Sequence, residues 1–385
     1  MPANRPDSRT PAAPRGFKKL LLYLIPFLIT WFLMEVALTI LDPILFKGFW
    51  QYDPDFGFRV RPGAMDSNSM GFNDSEHPLT KVPGTYRIMI LGDSYNWVGG
   101  LKNYTHILQS LFDKEYGPNK VEVLNVGYPM THTAEELGLF RKQGLQLKPD
   151  LLVLGFFCGN DFADGDPHRK RIVVNGTYFD IDSRHEHRLL GYPLLPQSRV
   201  IMSLKQIFKT WRSIDRSTTA DKQASGFTPE VYNQIVGSHL SLFNTRMAGE
   251  GKLKENVDYI LGALRDMAAV CEQNHIAFRV GILPAEEQVD PKVFNDAVVT
   301  QHLEAEEYDL AQADRWVQGT CDELHVPALD MRQAFANHTK NARLYIPRNT
   351  HWNEAGNTLA AELELAWLKP DVDRYFAQSK GNSAR

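Results

Sequence analysis

The stretch Ile88-Met89-Ile90-Leu91-Gly92-Asp93-Ser94-Tyr95 decides how the rest of the chain is interpreted. Its apolar run stops at Gly-Asp-Ser, which is the pattern of a buried strand that ends in a turn. Open α/β sheets bind their ligands at the carboxyl ends of such strands. Ser94 is therefore a candidate nucleophile, provided that a general base reaches its hydroxyl. The structural alternative is that Asp93 and Ser94 only cap the helix that follows.

Composition places the chain among ordinary globular proteins. It has 385 residues, of which 43% are hydrophobic and 23% charged, and its length favours one large core with an insertion or two domains. The net charge of −4 and a pI near 6.3 give no electrostatic indication of a nucleic-acid partner. Cys158, Cys271 and Cys321 have neither metal-ligand spacing nor a disulfide framework, so buried free thiols are expected.

The amino terminus predicts where the protein resides. Residues 1–19 are proline-rich and basic, and they are expected to form a cytoplasmic tail. Residues 20–41 are apolar and about long enough to cross a bilayer, and the positive charge before them predicts an extracytoplasmic, in a Gram-negative bacterium periplasmic, remainder. Glu35 is costly within the span, and proximity to the outer interface or to a partner helix of another membrane protein would reduce that cost. A cleaved signal peptide is the alternative, but the run is longer than a usual h-region, so an uncleaved signal anchor is predicted.

Strands and helices alternate through the main domain, residues 85–370, which follows a connector rich in aromatic residues at 42–84. Strands are expected at 86–91, 121–126, 150–157, 276–283 and 326–329, and helices at 97–112, 133–147, 253–274, 304–324 and 354–368. Thr133 is the expected N-cap of the second helix, with Glu136 completing a capping box. Repeated strand–helix units imply an α/β fold with a parallel, doubly wound sheet.

Two segments depart from this alternation. Residues 162–251 are too long for an ordinary loop inside a compact domain, and they are expected to form an insertion that covers the site as a lid or wall. Residues 371–385 are expected to be a carboxyl-terminal tail.

Four polar or glycine-containing stretches are predicted to converge at one edge of the sheet. They are Gly92-Asp93-Ser94, Asn125-Val126-Gly127, Gly159-Asn160-Asp161 and the later Asn349-Thr350-His351. Acyl transfer needs a nucleophile, a base and donors for the developing oxyanion. In this interpretation Ser94 attacks the acyl carbonyl and His351 takes the serine proton. The backbone N–H groups of Ser94 and Gly127 and the side-chain amide of Asn160 bind the oxyanion. Asp93 and Asp161 support the site, Asp93 as a carboxylate that stabilises the turn.

These stretches resemble the four conserved blocks of the SGNH (GDSL) hydrolase superfamily, in the family's order, over roughly residues 85–368. The resemblance implies a three-layer α/β/α, flavodoxin-like fold with a central parallel sheet. It also implies esterase, lipase or carbohydrate O-deacetylase activity without a metal or organic cofactor. The sequence around His351, Trp352 and Asn353 is similar to the branch that contains alginate O-acetylation proteins and related exported acyl-modifying enzymes.

One position departs from the family pattern. Members usually carry an aspartate two or three residues before the histidine, where this chain has Asn349 and Arg348. Asparagine can orient an imidazole but offers no negative charge, and in a serine protease the corresponding change cost about 10⁴ in rate. Three interpretations remain: a Ser-His dyad oriented by Asn349 or a backbone carbonyl, a carboxylate such as Asp330 or Glu354 in place of the aspartate, or a domain that binds an acylated ligand without turning it over.

Two classes of function are therefore open. The first is a membrane-anchored, extracytoplasmic ester hydrolase or O-acyltransferase acting on O-acyl, above all O-acetyl, esters of a surface glycan or a similar small ester. The second is a non-catalytic glycan-binding or assembly protein with the same fold. A nucleotide-binding domain is disfavoured, because the turn at residues 92–95 has neither a G-x-G-x-x-G pattern nor a phosphate-binding loop with Gly-Lys-Ser/Thr.

Overall fold

The computed structural model describes residues 15–45, 48–53, 56–174, 176–182, 184, 187–189, 192–194, 198–214, 226–247 and 251–383. The strands are β1 (Trp50–Gln51), β2 (Arg59–Val60), β3 (Tyr86–Gly92), β4 (Val121–Gly127), β5 (Leu151–Phe157), β6 (Arg169–Val174), β7 (Thr177–Asp182), β8 (His187–Leu189), β9 (Tyr192–Leu194), β10 (Ala277–Leu283) and β11 (Ala328–Asp330). The α-helices are α1 (Arg15–Leu45), α2 (Tyr104–Tyr116), α3 (Thr133–Leu139), α4 (Asp161–Asp164), α5 (Arg199–Ile214), α6 (Pro229–Leu240), α7 (Gly251–Gln273), α8 (Glu286–Val289), α9 (Pro291–Gln301), α10 (Gln312–Glu323), α11 (Arg332–His338) and α12 (Glu354–Ser383).

A five-stranded sheet forms the centre of the described part of the chain. Its order is β4-β3-β5-β10-β11, and every neighbouring pair is parallel. Numbered along the chain, these strands run 2-1-3-4-5, which is the flavodoxin-like order of doubly wound folds. The order reverses between β3 and β5, so their carboxyl ends border the crevice where such sheets bind ligands.

The sheet is covered on both faces, as the nearly continuous apolar strands predicted. Ile88 and Ile90 of β3 pack with α2, α11 and α12 on one face. Met89 and Leu91 point to the other face, where they pack with α3, α7 and α10. Successive strand residues point to opposite faces, so β3 contributes to both layers. The domain is thus a three-layer α/β/α fold, as expected from the sequence.

The predicted connector and part of the predicted insertion belong to the packed domain. Val60 and Phe72 of the connector are buried in the core on the α3 side. From the insertion, α6 and the turn after it bury Tyr232, Val236 and Phe243 in the same cluster. Part of the 162–251 segment therefore forms a wall of the domain. The lid interpretation remains a prediction for its other residues, some of which lie outside the described ones.

Strand bounds and the long helix α7 agree with the sequence prediction to within two residues at each end, but two other helices begin later than predicted. The helix expected at 97–112 is α2, which starts at Tyr104, because Gly99 and Gly100 adopt positive φ angles and Asn103 caps the helix through the Thr105 N–H.

The helix expected at 304–324 begins only at Gln312. Backbone hydrogen bonds tie Glu307 and Asp309 to residues 243–245 of the insertion, from Thr245 N–H to Glu307 O and from Asp309 N–H to Phe243 O. A tertiary pairing thus overrides the local helical pattern here.

The N-cap of α3 lies one residue before the predicted Thr133. The N-cap is His132, whose backbone N–H donates to the Glu135 carboxylate at 3.3 Å, while Glu136 is buried. The N–H of Thr133 donates instead to Asp161 at 2.7 Å. After Leu139 the chain continues as a π-helical turn, Phe140–Gly144, and then as a 3₁₀ turn, Leu145–Leu147.

At the carboxyl terminus, the predicted tail was wrong for residues 371–383, because α12 continues through Pro370 to Ser383. The cause is packing: Val372 is fully buried, and the Tyr375 ring lies 4.9 Å from that of Tyr86. Apolar contact with the start of β3 thus holds the helix beyond the proline.

The amino-terminal helix α1 contains a segment, Leu22–Leu41, that is long and apolar enough to cross a membrane. None of this segment is buried in the protein. Of the predicted cytoplasmic tail, residues 1–14 lie outside the described residues and residues 15–19 are helical.

Candidate active site

The nucleophile candidate lies in a tight turn at the carboxyl end of β3. The Asp93 carboxylate accepts a hydrogen bond from the Tyr95 N–H at 2.9 Å, which closes a single 3₁₀ turn over residues 94–96. Asp93 therefore stabilises the turn, the role that the sequence assigned to it. Ser94 stays partly exposed while both its neighbours are buried, so its hydroxyl is available at the sheet edge.

Ser94, His351 and Asn349 form a continuous chain of hydrogen bonds. The Ser94 Oγ lies 2.7 Å from His351 Nε2, and His351 Nδ1 lies 2.7 Å from Asn349 Oδ1. These distances are within hydrogen-bond reach of a general base without any movement of the loops. The structure therefore brings Ser94 together with two residues that lie more than 250 positions later in the sequence.

The geometry fixes which atom of Asn349 faces the imidazole. The same Oδ1 also accepts a hydrogen bond from the His351 backbone N–H, at 3.1 Å. A backbone N–H is only a donor, so the amide oxygen and not the NH₂ group must point toward the histidine. His351 Nδ1 then carries the hydrogen, and Nε2 is left with a lone pair for the serine proton. Asn349 thereby holds the tautomer that a general base needs.

The loop at residues 348–352, here called the histidine loop, is held against the turn at residues 93–96, the nucleophile turn, by contacts of Tyr95. Tyr95 donates from its hydroxyl to the Thr350 carbonyl at 2.5 Å, and its ring lies 5.2 Å from the His351 ring. Trp352 is fully buried, with its ring 4.7 Å from that of Tyr95. Arg348 enters the loop with a left-handed φ of 54°. The aromatic contacts therefore set the separation of serine and histidine through one side chain, Tyr95.

Burial keeps the histidine neutral. It lowers the pKa of His351 to about 4, with a further contribution from the charge of His239. At neutral pH the imidazole is therefore uncharged and able to accept a proton.

Neither carboxylate that the sequence offered as a substitute orients the histidine. Glu354 pairs with Lys102 at 2.7 Å on the surface, and Asp330 accepts from the Arg332 N–H at 2.8 Å. The orienting group in the described structure is Asn349.

The side chain of Asn160 is held beside the nucleophile turn. Its Nδ2 donates to Asp93 at 3.1 Å, and its Oδ1 is buried without a hydrogen-bond partner among the described residues. Burial raises the pKa of Asp93 to about 6, although hydrogen bonds from Tyr95 and Asn160 oppose the shift. One amide hydrogen of Asn160 is engaged by Asp93, so the other is available for a ligand. Its oxyanion role, like that of the Ser94 and Gly127 N–H groups, stays a prediction.

Gly127 has a packing reason to be glycine. A Cβ at this position would lie 2.6 Å from the Cβ of Asn96 and 2.6 Å from the carbonyl oxygen of Gly92. The close contact of the end of β4 with the turn that carries Ser94 therefore requires glycine at this position.

Asp161 lies behind the site and ties the end of β5 to the start of α3. One carboxylate oxygen accepts from the Phe157 N–H at 2.9 Å, and the other accepts from the N–H and hydroxyl of Thr133 at 2.7 and 3.0 Å. Asp161 and Glu136 are fully buried, and burial raises the pKa of both carboxyl groups well above their usual range. Asp161 is thus placed to support the loop that carries Asn160.

A second histidine, which the sequence did not single out, lies near the site. His239 of α6 is buried, and its Nδ1 is 2.7 Å from the Glu287 carboxylate. Its ring lies 6.0 Å from that of Phe157, beside Gly159. Glu287 follows β10 closely at the ligand-binding edge of the sheet, and that strand-end position could have identified it. His239 lies on a helix of the insertion, where no sequence signal distinguishes it.

A cavity of about 700 Å³ adjoins the histidine loop, and its lining includes Tyr232, Glu286, Arg343, Tyr345 and Arg348. Tyr232 donates from its hydroxyl to Glu286 at 2.5 Å, and Arg343 lies 3.5 Å from the same carboxylate. Burial raises the pKa of Glu286 to about 7. The volume is in the range of small-molecule sites in proteins, and its walls are polar and aromatic.

In the described part of the chain, no cluster of three or more His, Cys, Asp or Glu side chains is arranged to hold a metal ion. The three cysteines are free and buried, as expected from the sequence.

Comparisons with known proteins give distant likenesses only. No family model matches the chain, and no curated protein is similar to it. The acetyl xylan esterase AlAXEase is 13% identical with a TM-score of 0.40, over 73% of this chain and 99% of that one. An acetylxylan esterase from Geobacillus stearothermophilus is 13% identical with a TM-score of 0.39, over 74% and 95%. An alpha/beta hydrolase from the metagenome of Lake Arreo, Spain, is 13% identical with a TM-score of 0.37, over 74% and 96%.

Proposed function

We propose that the chain is a membrane-anchored, extracytoplasmic serine esterase of the SGNH type that acts on O-acyl esters, above all O-acetyl esters of a glycan. The observation that carries the proposal is the hydrogen-bonded chain from Ser94 through His351 to Asn349. A serine, a neutral imidazole and an orienting group in this order are the requirements for nucleophilic acyl transfer.

The reaction follows from the positions of these groups. Ser94 Oγ attacks the acyl carbonyl carbon while its proton passes to His351 Nε2. The oxyanion is held by the Asn160 amide and the backbone N–H groups of Ser94 and Gly127. Collapse of the intermediate breaks the ester C–O bond, and the alcohol leaves with the proton from His351. Water, or a second hydroxyl in a transferase, then attacks the acyl carbon and gives its proton to His351, which returns it to Ser94 Oγ as the acyl–Ser94 bond breaks.

The substrate class is supported by the cavity beside the histidine loop. Its lining offers three carboxyl groups, one lysine, two arginines and two tyrosine rings, which suit a ligand with many hydroxyl groups. The sequence blocks resemble the SGNH superfamily, whose activities include carbohydrate O-deacetylation, and this is consistent with the same substrate class.

Anchoring is supported by the exposed apolar helix. Leu22–Leu41 would be covered by lipid in a bilayer, and the basic residues before it favour a cytoplasmic amino terminus. The domain after α1 would then lie outside the cytoplasm.

The experiment is hydrolysis of p-nitrophenyl acetate by the full-length protein in detergent. Ser94→Ala should abolish turnover, because it removes the nucleophile. Ser110→Ala, on the exposed face of α2, is the matched control and should behave as the wild type. Mass spectrometry of protein trapped with a fluorophosphonate should locate the label on Ser94.

The binding-protein alternative makes the opposite prediction. If Ser94→Ala leaves turnover unchanged, or if the wild type has none while it binds an O-acetylated oligosaccharide, the esterase proposal is wrong. The orientation of Asn349 argues against that outcome, since the tautomer needed for catalysis is already held.

A further inference from the structure

The amino-terminal helix α1 is joined to α5 of the insertion through Glu35. The Glu35 carboxylate accepts hydrogen bonds from the backbone N–H groups of Arg199 at 2.8 Å and Val200 at 3.3 Å, and from the Ser198 hydroxyl. The first N–H groups of a helix lack partners within the helix, and a negative charge there is favourable. The charge within the apolar segment is thus satisfied inside this chain, where the sequence had pointed to another protein's helix.

This contact fixes the depth in the membrane at which α5 begins. Glu35 precedes Leu41, the end of the apolar segment, by six residues, which corresponds to about 9 Å along the helix. When the segment spans a bilayer, the amino-terminal end of α5 therefore lies about 9 Å inside the outer end of the apolar segment, in the boundary region of the membrane and not far out in water.

The side of α5 that carries Met202 packs on the domain. Met202 is buried and contacts Ile172 and Val174 of the β6–β7 hairpin, and Val200 in the first turn of the helix is buried as well. The hairpin is bonded to the connector, from the Val173 N–H to the Gly57 carbonyl at 2.9 Å. The position of α5 is thereby tied to the catalytic domain as well as to α1.

Another side of α5 presents large apolar side chains outward. Ile201, Leu204 and Ile207 are 43%, 58% and 65% exposed, and Phe208 is 57% exposed. Positions three and four apart share one face of a helix, so these side chains form a single stripe. Among soluble proteins an exposed stripe of this kind marks an interaction surface.

The charge of α5 indicates what covers the stripe. Beyond its buried first residue, Arg199, the helix contains Lys205, Lys209 and Arg212 and no acidic residue. An apolar stripe combined with basic residues is typical of helices that lie in the plane of a membrane surface, where anionic headgroups attract the basic side chains.

We propose that α5 lies in the outer membrane–water interface, with Ile201, Leu204 and Ile207 in contact with lipid. The partner is the lipid bilayer itself, and the proposal rests on the anchoring of α1 put forward above. Two attachments, one spanning and one interfacial, then hold the sheet edge that carries Ser94 at a constant height and orientation above the membrane.

The test uses the full-length protein in nanodiscs of phosphatidylethanolamine and phosphatidylglycerol, with a nitroxide label on one introduced cysteine at a time. Cys158, Cys271 and Cys321 are buried, and burial raises the pKa of each thiol, so the native background is low. Labels at Leu204→Cys and Ile207→Cys should be more accessible to oxygen than to a water-soluble nickel complex. The matched control is Lys252→Cys, exposed on α7, which should show the reverse.

A label at Phe32→Cys in the middle of α1 separates the two proposals. Oxygen accessibility at Phe32 together with nickel accessibility at Leu204 and Ile207 would overturn the interfacial helix and leave the anchor intact. Nickel accessibility at Phe32 would overturn both. Labels at Leu204 and Ile207 that are immobilised and shielded from both reagents would show that protein covers the stripe, which also overturns the proposal.

Discussion

Asn349 accepts two hydrogen bonds from His351 through a single oxygen atom. One comes from the backbone N–H at 3.1 Å and the other from the ring Nδ1 at 2.7 Å. In a serine protease the aspartate-to-asparagine change is harmful mainly because it favours the wrong tautomer. Here the backbone donor fixes the orientation of the amide, so the site keeps the correct tautomer and lacks only the negative charge.

Replacing Asn349 by aspartate should shift the pH dependence of the reaction. A carboxylate beside the ring would raise the pKa of His351 from about 4. The base works only when it is deprotonated, so the acid limb of kcat/KM should move to higher pH by about 1–3 units. Above pH 8 the variant should be at least as active as the wild type, because the charge stabilises the imidazolium. The measurement is a pH profile from 3 to 9.

Asn349→Ala should lower kcat by about 10² or more at every pH, since the ring loses its orienting group. Asn341→Asp, an exposed change distant from the site, should leave the profile unchanged. An acid limb that does not move in Asn349→Asp would contradict the assigned contact.

Removing the Asn160 amide should impair catalysis more than binding. If the free amide hydrogen stabilises the oxyanion, Asn160→Ala should lower kcat by about 10²–10³ and change KM little. Steady-state kinetics with p-nitrophenyl acetate measures both constants. Asn341→Ala serves as the matched control. A rise in KM with unchanged kcat would instead make Asn160 a ground-state binding group.

His239 should act on the catalytic base through its charge. It lowers the pKa of His351, and in His239→Gln the acid limb of kcat/KM should therefore move to higher pH. The Glu287 carboxylate, left without its partner, would act in the same direction. His338→Gln on the surface is the control. A uniform loss of rate without a shift in pH would assign His239 a purely structural role.

Stability should depend on pH through Glu364. This side chain of α12 is fully buried opposite β10, neither of its oxygens has a hydrogen-bond partner in the described part of the chain, and burial raises its pKa to about 8. Because this pKa is higher in the folded protein than in the unfolded chain, the protonated side chain keeps its full contribution to stability only below about pH 4.5. Between about pH 4.5 and about pH 8 the free energy of unfolding of the wild type falls by about 1.4 kcal/mol per pH unit. Glu364→Met should therefore gain stability over the wild type progressively between pH 5 and pH 8.

Thermal unfolding in detergent at pH 5, 6.5 and 8 measures this difference. Glu362→Met, on the exposed side of the same helix, is the matched control and should show a difference that does not change with pH. A Glu364→Met advantage that is equal at pH 5 and pH 8 would contradict the prediction.

The placement of the principal site blocks could be predicted from the sequence, because it follows from local rules. An apolar run that ends in Gly92-Asp93-Ser94 must be a strand leading into a turn, and parallel strands bring their carboxyl ends to one edge. The same reasoning predicted the sheet, the pairing of Ser94 with His351 and the apolar span of α1. Helix ends were less predictable, since α10 begins only after backbone hydrogen bonds to the insertion, and α12 is extended by packing against distant side chains.

Only the tertiary structure decided the contacts that depend on the orientation of single side chains. The sequence could name Asn349 but not the atom that faces His351, which the loop backbone determines. It could name Glu35 but not the helix terminus of α5 that its carboxylate meets, nor the proximity of His239 to the site. A strand end follows from hydrophobic periodicity within a few residues of chain. A hydrogen bond across 164 or 257 positions requires the complete packing of the domain.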